Sequence, residues 1–205
     1  MQLYAITNRK LFARHEELIE QAISLAGSNM DYIQIREKDL AEEDLCALAA
    51  GIVSSVRAIG SRTRVLLNGP AEWAAKTGCD GVHLPANLPD SALQSAIEVI
   101  SGAVSDPVIS VSCHTLSDIE HARDHGATLA LFAPVFEKQS GAEVISGQGI
   151  DALAAACRTA GPMPVFALGG VTAVNAHDCI CAGAAGVAAI RLFASDDWRN
   201  LRLRV

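Results

Sequence analysis

The chain has 205 residues, a formal net charge of −7, half of its residues hydrophobic and only 4% aromatic. That size suits one domain, residues 1–205, and a core of Ala, Val, Ile and Leu favours helices packed on a buried parallel sheet. The acidic balance excludes non-specific nucleic-acid binding, which needs a basic face, so any anion site must be made locally.

No apolar run approaches the roughly 20 residues of a membrane span. Met1 opens directly into a strand pattern without a basic and then apolar leader, so a cytoplasmic protein with no membrane contact is expected. Six cysteines (46, 79, 113, 157, 179 and 181) lie among apolar and small residues with no CxxC pair, and read as buried, reduced thiols. His177, Cys179 and Cys181 are close in sequence. On a helix, however, the two cysteines point about 200° apart, which excludes zinc there.

In chain order, Leu3 to Thr7 is a first strand with a polar exit at Asn8, Arg9 and Lys10. Leu18, Ile19, Ala22, Ile23 and Ala26 recur at helical spacing until Gly27. Tyr32 to Arg36 alternates as a second strand and ends in the charged run Arg36, Glu37, Lys38, Asp39. Asp39 with Glu42 three residues on has the form of a capping box, opening a helix with Leu45, Leu48, Ala49, Ile52, Val53 and Val56 inward.

Arg64 to Leu67 is a third strand ending at Asn68 and Gly69, and Ala71 to Thr77 a short helix. Gly81 to Leu84 is a fourth strand, followed by a loop and a helix around Leu93 to Ile100. A fifth strand, Val108 to Val111, runs into Ser112, Cys113 and His114. Thr115 and Asp118 form a second capping box, with Leu116, Ile119 and Ala122 predicted inward and Gly126 as the stop.

Leu129 to Phe132 is the sixth strand. Pro134 to Gly149 reads as a long irregular loop of the kind that often serves as a lid. A helix over Ile150 to Thr159, a strand from Pro164 into Gly169 and Gly170, a helix capped by Thr172 and a strand over Gly186 to Ile190 follow. A short basic helix, Ser195 to Val205, closes the chain. Eight alternating strand–helix units predict a parallel sheet closed into a (β/α)8 TIM barrel. The alternative, an open doubly wound sheet, lacks the GxGxxG turn after its first strand.

In that fold the chemistry lies at the C-terminal ends of the strands. There the sequence places Arg36, Lys38, Asn68, His83, Ser112, His114, Lys138, Gly169, Gly170 and Arg191. The glycine turn and the following helix offer backbone N–H groups to a phosphate, as the loops after strands seven and eight do in such barrels. Arg36 binds phosphate bidentately and Lys38 supplies a movable charge, so two anionic groups across the barrel mouth are expected. Each residue also has a plainer reading: a solvated charge run, a turn asparagine, a core histidine.

The segments YIQIREKDL, VLLNG with GCDGVHLP, ISVSCHTLSDIEHARDHGA, APVFEK, FALGGVTAVN and GAAGVAAI, in that order, resemble the thiamine-phosphate synthase/TenI family across nearly the whole chain. The resemblance implies either a synthase or a TenI-like thiazole tautomerase. The first joins a pyrimidine diphosphate to a thiazole phosphate with Mg²⁺ and loss of pyrophosphate; the second aromatises a thiazole carboxylate phosphate by proton transfer.

It assigns Gln34, Arg36 and Lys38 to the pyrophosphate, Asn68 to the pyrimidine or its diphosphate, and Ser112 to the same rim. Gly170 with the backbone of Ala189 and Ile190 falls to the thiazole phosphate. The chain departs from the synthase pattern at Gly69 and Leu88, where metal-binding aspartates stand, with Asp90 nearby but offset. It departs again at Lys138, Gln139, Ser140 and Gly141, where the lid lysine stands.

From the tautomerase pattern it departs at Pro134, in place of an acid/base histidine, leaving His83 or His114 for that role. Arg191 adds charge at the phosphate cup. Mg²⁺ is therefore the cofactor a synthase would need, with both expected carboxylates replaced. A non-catalytic phosphate-ligand-binding or regulatory protein is the third reading. The partner is a phosphorylated small molecule, and the reading allows a homo-oligomer.

Overall fold

The computed structural model describes residues 1–140 and 143–203. Its parallel strands are β1 (Gln2–Ile6), β2 (Tyr32–Ile35), β3 (Arg64–Asn68), β4 (Gly81–Leu84), β5 (Val108–Cys113) and β6 (Leu129–Phe132). A short antiparallel hairpin, β7 (Lys138–Ser140) and β8 (Glu143–Ile145), precedes β9 (Val165–Leu168) and β10 (Gly186–Ala189). The parallel strands close into an eight-stranded barrel in the order β1, β10, β9, β6, β5, β4, β3, β2. Among the described residues seven α-helices lie between them: α1 (His15–Gly27), α2 (Glu42–Ala58), α3 (Ala71–Lys76), α4 (Asp90–Ala103), α5 (Leu116–Asp124), α6 (Ile150–Ala160) and α7 (Ala176–Cys181). Apolar runs on both faces of the strands account for this arrangement, since a parallel sheet must be covered on each side.

Close contacts divide the chain into two compact units, residues 5–84 with 88–109, and residues 1–4 with 85–87 and 110–205. In the first, β2, β3 and β4 pair in parallel register and α2 buries Leu45, Leu48, Ala49, Ile52 and Val56. The expected capping box of α2 is not formed. Ala41 stands at the N-cap, and Asp39 turns back to Arg9 at 2.8 Å and Lys10 at 3.1 Å. Two cations across the chain outcompete a single backbone N–H for that carboxylate.

In the second unit, β5, β6, β9 and β10 pair in parallel. The capping box of α5 is present: Asp118 N–H donates to Thr115 Oγ1 at 3.1 Å and Thr115 N–H to Asp118 Oδ2 at 2.9 Å. Leu116, expected inward, is exposed, because it is the first residue of the helix and the buried stripe begins at Ile119. Thr172 does not cap α7. Its hydroxyl accepts from Val174 and Asn175 in a turn that precedes the helix, whose N-cap is Asn175.

The stretch 134–149, read as irregular, contains the hairpin; Gly141 and Ala142 lie outside the described residues. The closing helix is instead two 3-10 turns, Leu192–Ala194 and Asp197–Leu203, with residues 204 and 205 outside the described range. All six cysteines are free thiols. Cys179 is buried, whereas Cys181 is exposed with its Sγ 3.4 Å from His177 Nε2.

Candidate active site

The first group of site residues sits at the ends of β2, β3 and β4. Gln34 lies opposite Leu66, and Asn68 lies opposite His83. Ile35 lies opposite Leu67, so Arg36, one residue beyond β2, continues the row toward Asn68. The structure therefore brings Gln34, Arg36, Asn68 and His83 to the ends of three adjacent strands. Gln34 is 1% exposed and its Oε1 accepts no hydrogen bond. A buried amide oxygen without a donor costs free energy unless a water or ligand supplies one, which makes Gln34 a candidate contact.

The charge run after β2 is sorted by side. Glu37, 3% exposed, accepts from the Thr7 hydroxyl at 2.6 Å through Oε1 and from the Arg9 N–H at 3.0 Å through Oε2. Asp39 is held by Arg9 and Lys10. Both carboxylates of the run are thus committed to the turn after β1. Among the described residues the Arg36 guanidinium and the Lys38 ammonium make no hydrogen bond or ion pair. Two unneutralised cations beside a row of polar side chains make a local concentration of positive charge on an otherwise acidic chain, chemistry that suits an anion.

Both cations act on His83. Burial first, then the charges of Arg36 and Lys38, lower its pKa from 6.5 to about 3. At neutral pH its imidazole is uncharged, which suits a hydrogen-bonding group and not an imidazolium acid.

The second group lies at the ends of β5, β6, β9 and β10. Ser112 is half-buried on β5, opposite Leu131. His114 is exposed, and its Nδ1 lies 2.7 Å from the Ala133 carbonyl. A carbonyl only accepts, so Nδ1 carries a proton, and in the neutral ring Nε2 then holds the lone pair. That fixes the tautomer a general base needs. Gln148 Nε2 donates to the same carbonyl at 3.1 Å.

Lys138 is half-buried on β7, opposite Ile145. Ala189 is buried at the end of β10, Ile190 half-buried, and Arg191 exposed with Nη1 donating to the Gln139 carbonyl at 3.5 Å.

Gly169 and Gly170 have φ of +94° and +65°, which L side chains rarely adopt. Val135 N–H donates to the Leu168 carbonyl at 2.9 Å and Phe136 N–H to the Gly169 carbonyl at 3.0 Å. A Cβ on Gly170 would stand 2.3 Å from the Glu137 carbonyl oxygen. The glycines are therefore needed first for the root of the hairpin to lie against this turn. The Gly170 and Val171 N–H groups donate to no group among the described residues, so they are candidate donors to an anion.

Carboxylates that could hold Mg²⁺ are scarce near Asn68. Gly69 follows it, and Leu88 stands where a second aspartate is expected. Of the nearby carboxylates, Glu37 has both oxygens engaged, Asp39 is ion-paired, and Asp90 is exposed in the first turn of α4. Mg²⁺ takes near-octahedral oxygen ligation, keeping several waters and anchored to the protein through one or two carboxylates with substrate phosphates completing the shell. The residues present do not fit it.

Sequence reading missed Thr7, Glu37 and Gln148. Their partners lie 29, 28 and 15 residues away, and no local pattern encodes those contacts.

A closed parallel barrel with a cationic rim and a glycine turn beneath a hairpin defines a (β/α)8-barrel protein whose polar groups collect at the strand ends. Residues 3–193 match the family described as thiamine monophosphate synthase, and the chain belongs to that family. It is 36% identical over 194 residues to a putative thiamine-phosphate synthase of Geobacter sulfurreducens, covering 95% of this chain and 87% of that one. It is 31% identical over 195 residues to putative thiamine-phosphate synthase 2 of Aquifex aeolicus, covering 94% and 97%. A thiamine phosphate pyrophosphorylase from Pyrococcus furiosus has the same fold, with a TM-score of 0.78 at 23% identity over 98% of this chain and 94% of that one.

Proposed function

We propose that the chain, acting in the cytoplasm, transfers a pyrimidine from its diphosphate ester to a thiazole phosphate, giving thiamine phosphate and pyrophosphate. The observation that carries this reading is the unpaired Arg36 and Lys38 beside the unpartnered, buried Gln34 Oε1. In this reading the thiazole ring nitrogen donates its lone pair to the pyrimidine methylene carbon as the carbon–oxygen bond to the diphosphate breaks. The pyrophosphate that departs gains negative charge, and fixed cations aimed at it stabilise the transition state more than the ground state. Neutral His83 and Asn68 supply hydrogen bonds without adding charge, and Ser112 stands near the end of β5. The Gly170 and Val171 N–H groups, with the backbone at Ala189 and Ile190 and the charge of Arg191, would hold the thiazole phosphate. Lys138 stands on the hairpin that would cover it.

The test is pyrophosphate release from the pyrimidine diphosphate and thiazole phosphate, with and without Mg²⁺. Turnover that falls roughly ten- to a hundredfold in Arg36→Ala supports the reading, as loss of hydrogen bonds to a charged group would predict. Binding of thiazole phosphate without any pyrophosphate release would reject it.

A second reading, a TenI-like thiazole tautomerase, is supported by His114. Its Nδ1–H is fixed on the Ala133 carbonyl and its Nε2 is left as a base. Loss of thiazole carboxylate isomerisation in His114→Gln, with pyrophosphate release absent in the parent chain, would favour it.

A further inference from the structure

Arg36 leaves the barrel ladder one residue after β2, so the ordinary strand hydrogen bonds no longer fix it. Its backbone N–H donates instead to Thr7 Oγ1 at 2.9 Å. Thr7 is itself fixed, because its own N–H donates to the Gln34 carbonyl at 2.9 Å. A hydroxyl has one proton, and that of Thr7 points to Glu37 Oε1 at 2.6 Å. This direction is forced, since a carboxylate oxygen accepts and the Arg36 amide donates. The Arg36 amide, the Thr7 hydroxyl and the Glu37 carboxylate thus close a loop through the adjacent peptide bond. The second Glu37 oxygen ties that loop to the Arg9 N–H.

Thr7 is 8% and Glu37 3% exposed, so these bonds lie out of water, where a charge-assisted bond is strong. Holding the Glu37 carboxylate and the Arg36 amide on the β1 turn fixes the backbone on which both side chains sit, and Lys38 follows in the turn that the Leu40 N–H closes on the Glu37 carbonyl at 3.1 Å. Arg36 and Lys38 flank Glu37, and both reach His83 electrostatically.

From this we propose that Thr7 and Glu37 are positioning residues for the Arg36–Lys38 anion site, setting the aim of the cations without touching the diphosphate. The role rests on the diphosphate reading above. Without the loop, Arg36 and Lys38 would be an ordinary charge run whose own carboxylates compete for them. With it, Glu37 is committed to Thr7 and Arg9, and Asp39 is separately paired with Arg9 and Lys10, so neither carboxylate of the run neutralises Arg36 or Lys38. Thr7 supplies the one group, a hydroxyl, that can accept from the backbone and donate to a carboxylate together.

The experiment is calorimetric titration of the full chain with inorganic pyrophosphate and, separately, with thiazole phosphate. Parent, Thr7→Val, Thr7→Ser, Glu37→Gln and Arg36→Ala chains are compared. Thr7→Val keeps the shape and removes the hydroxyl. It is expected to weaken pyrophosphate binding about tenfold, in line with a sub-ångström misplacement of a binding group. Thr7→Ser is expected to restore that affinity, and thiazole phosphate binding should be the same in both.

A pin that merely held the fold together would weaken both ligands alike, and that result overturns the proposal. Unaltered pyrophosphate affinity in Thr7→Val overturns it too. Should Thr7→Val fail to fold, Glu37→Gln carries the same comparison: selective loss of pyrophosphate supports the role and unaltered affinity rejects it. Equal binding of pyrophosphate by the parent and Arg36→Ala, or no binding by the parent, rejects the anion site itself and the positioning role with it. Loss in Arg36→Ala with none in the Thr7 and Glu37 variants rejects the positioning role alone.

Discussion

Replacing Gly170 with alanine tests whether the glycine turn is set by the packing of the chain. The backbone there has φ of +65°, and a left-handed conformation costs a residue with a Cβ roughly 1–2 kcal/mol. The new carbon would also stand 2.3 Å from the Glu137 carbonyl oxygen and 2.7 Å from Phe136 Cβ. The first of these is main chain and cannot swing away, so the hairpin root must shift, at a further cost of roughly 1–3 kcal/mol. Together these give about 2–5 kcal/mol, or roughly 5–15 °C in melting temperature for a chain of this size.

The assay is thermal unfolding followed by circular dichroism, with Gly51→Ala as the control. A Cβ at Gly51 meets nothing within 4 Å in the middle of α2, so that change should stabilise the chain by roughly 0.5–1 kcal/mol. Since Phe136 and Glu137 lead directly into β7, Gly170→Ala should also weaken thiazole phosphate binding. A Gly170→Ala chain that melts with the parent, while the control rises, would refute the reasoning: the hairpin root would then be free to yield, and packing would not explain the glycine.

Two further predictions concern titration. The unfolded His83 takes up a proton below its ordinary value of 6.5, while the folded one stays neutral down to about 3. Stability should therefore fall as pH drops through that window, by about 1.4 kcal/mol per unit, or about 2 kcal/mol between pH 6.5 and 5. Urea unfolding of the parent and of His83→Gln checks this; equal pH slopes in the two chains would reject it. The exposed Cys181 should react rapidly with a disulfide reagent at pH 8, giving one fast thiol per chain that vanishes in Cys181→Ser. Burial pushes Cys79, Cys113 and Cys179 up to about 11, 12 and 11, and so withholds their thiolates. Several fast thiols would contradict that assignment.

The barrel was legible in the sequence because its strands are short apolar runs buried on both faces, each closed by a turn residue. Gly81–Leu84 and Leu129–Phe132 appear in the structure with the bounds the pattern predicts. The Thr115–Asp118 capping box was also legible, since both of its bonds span three residues. Asp39 and Glu42 carry the same local signature and do not form one, because Arg9 and Lys10 compete from 30 and 29 positions away. Local spacing states what a side chain is able to bond. Chain partners that the barrel brings near decide what it does bond. The hairpin was missed for a related reason: its strands are three residues each and carry no alternating apolar pattern.

The same limit applies to the candidate site, with a chemical consequence. From sequence alone, Arg36, Glu37, Lys38 and Asp39 form a run of balanced charge, and balanced runs usually neutralise themselves in solvent. Closing the barrel places the end of β1 beside the end of β2, so that Thr7 and Arg9 take Glu37 while Arg9 and Lys10 take Asp39. A run with no net charge thereby becomes a cationic surface on one side, within a chain whose formal net charge is −7. The acidic background then sharpens selection, because an anion has little reason to linger elsewhere on the surface. In the proposed reading, with Gly69 and Leu88 standing in place of the carboxylates, Arg36 and Lys38 carry the charge of the diphosphate. That requires their aim to be fixed, and the Thr7–Glu37 loop is built to fix it.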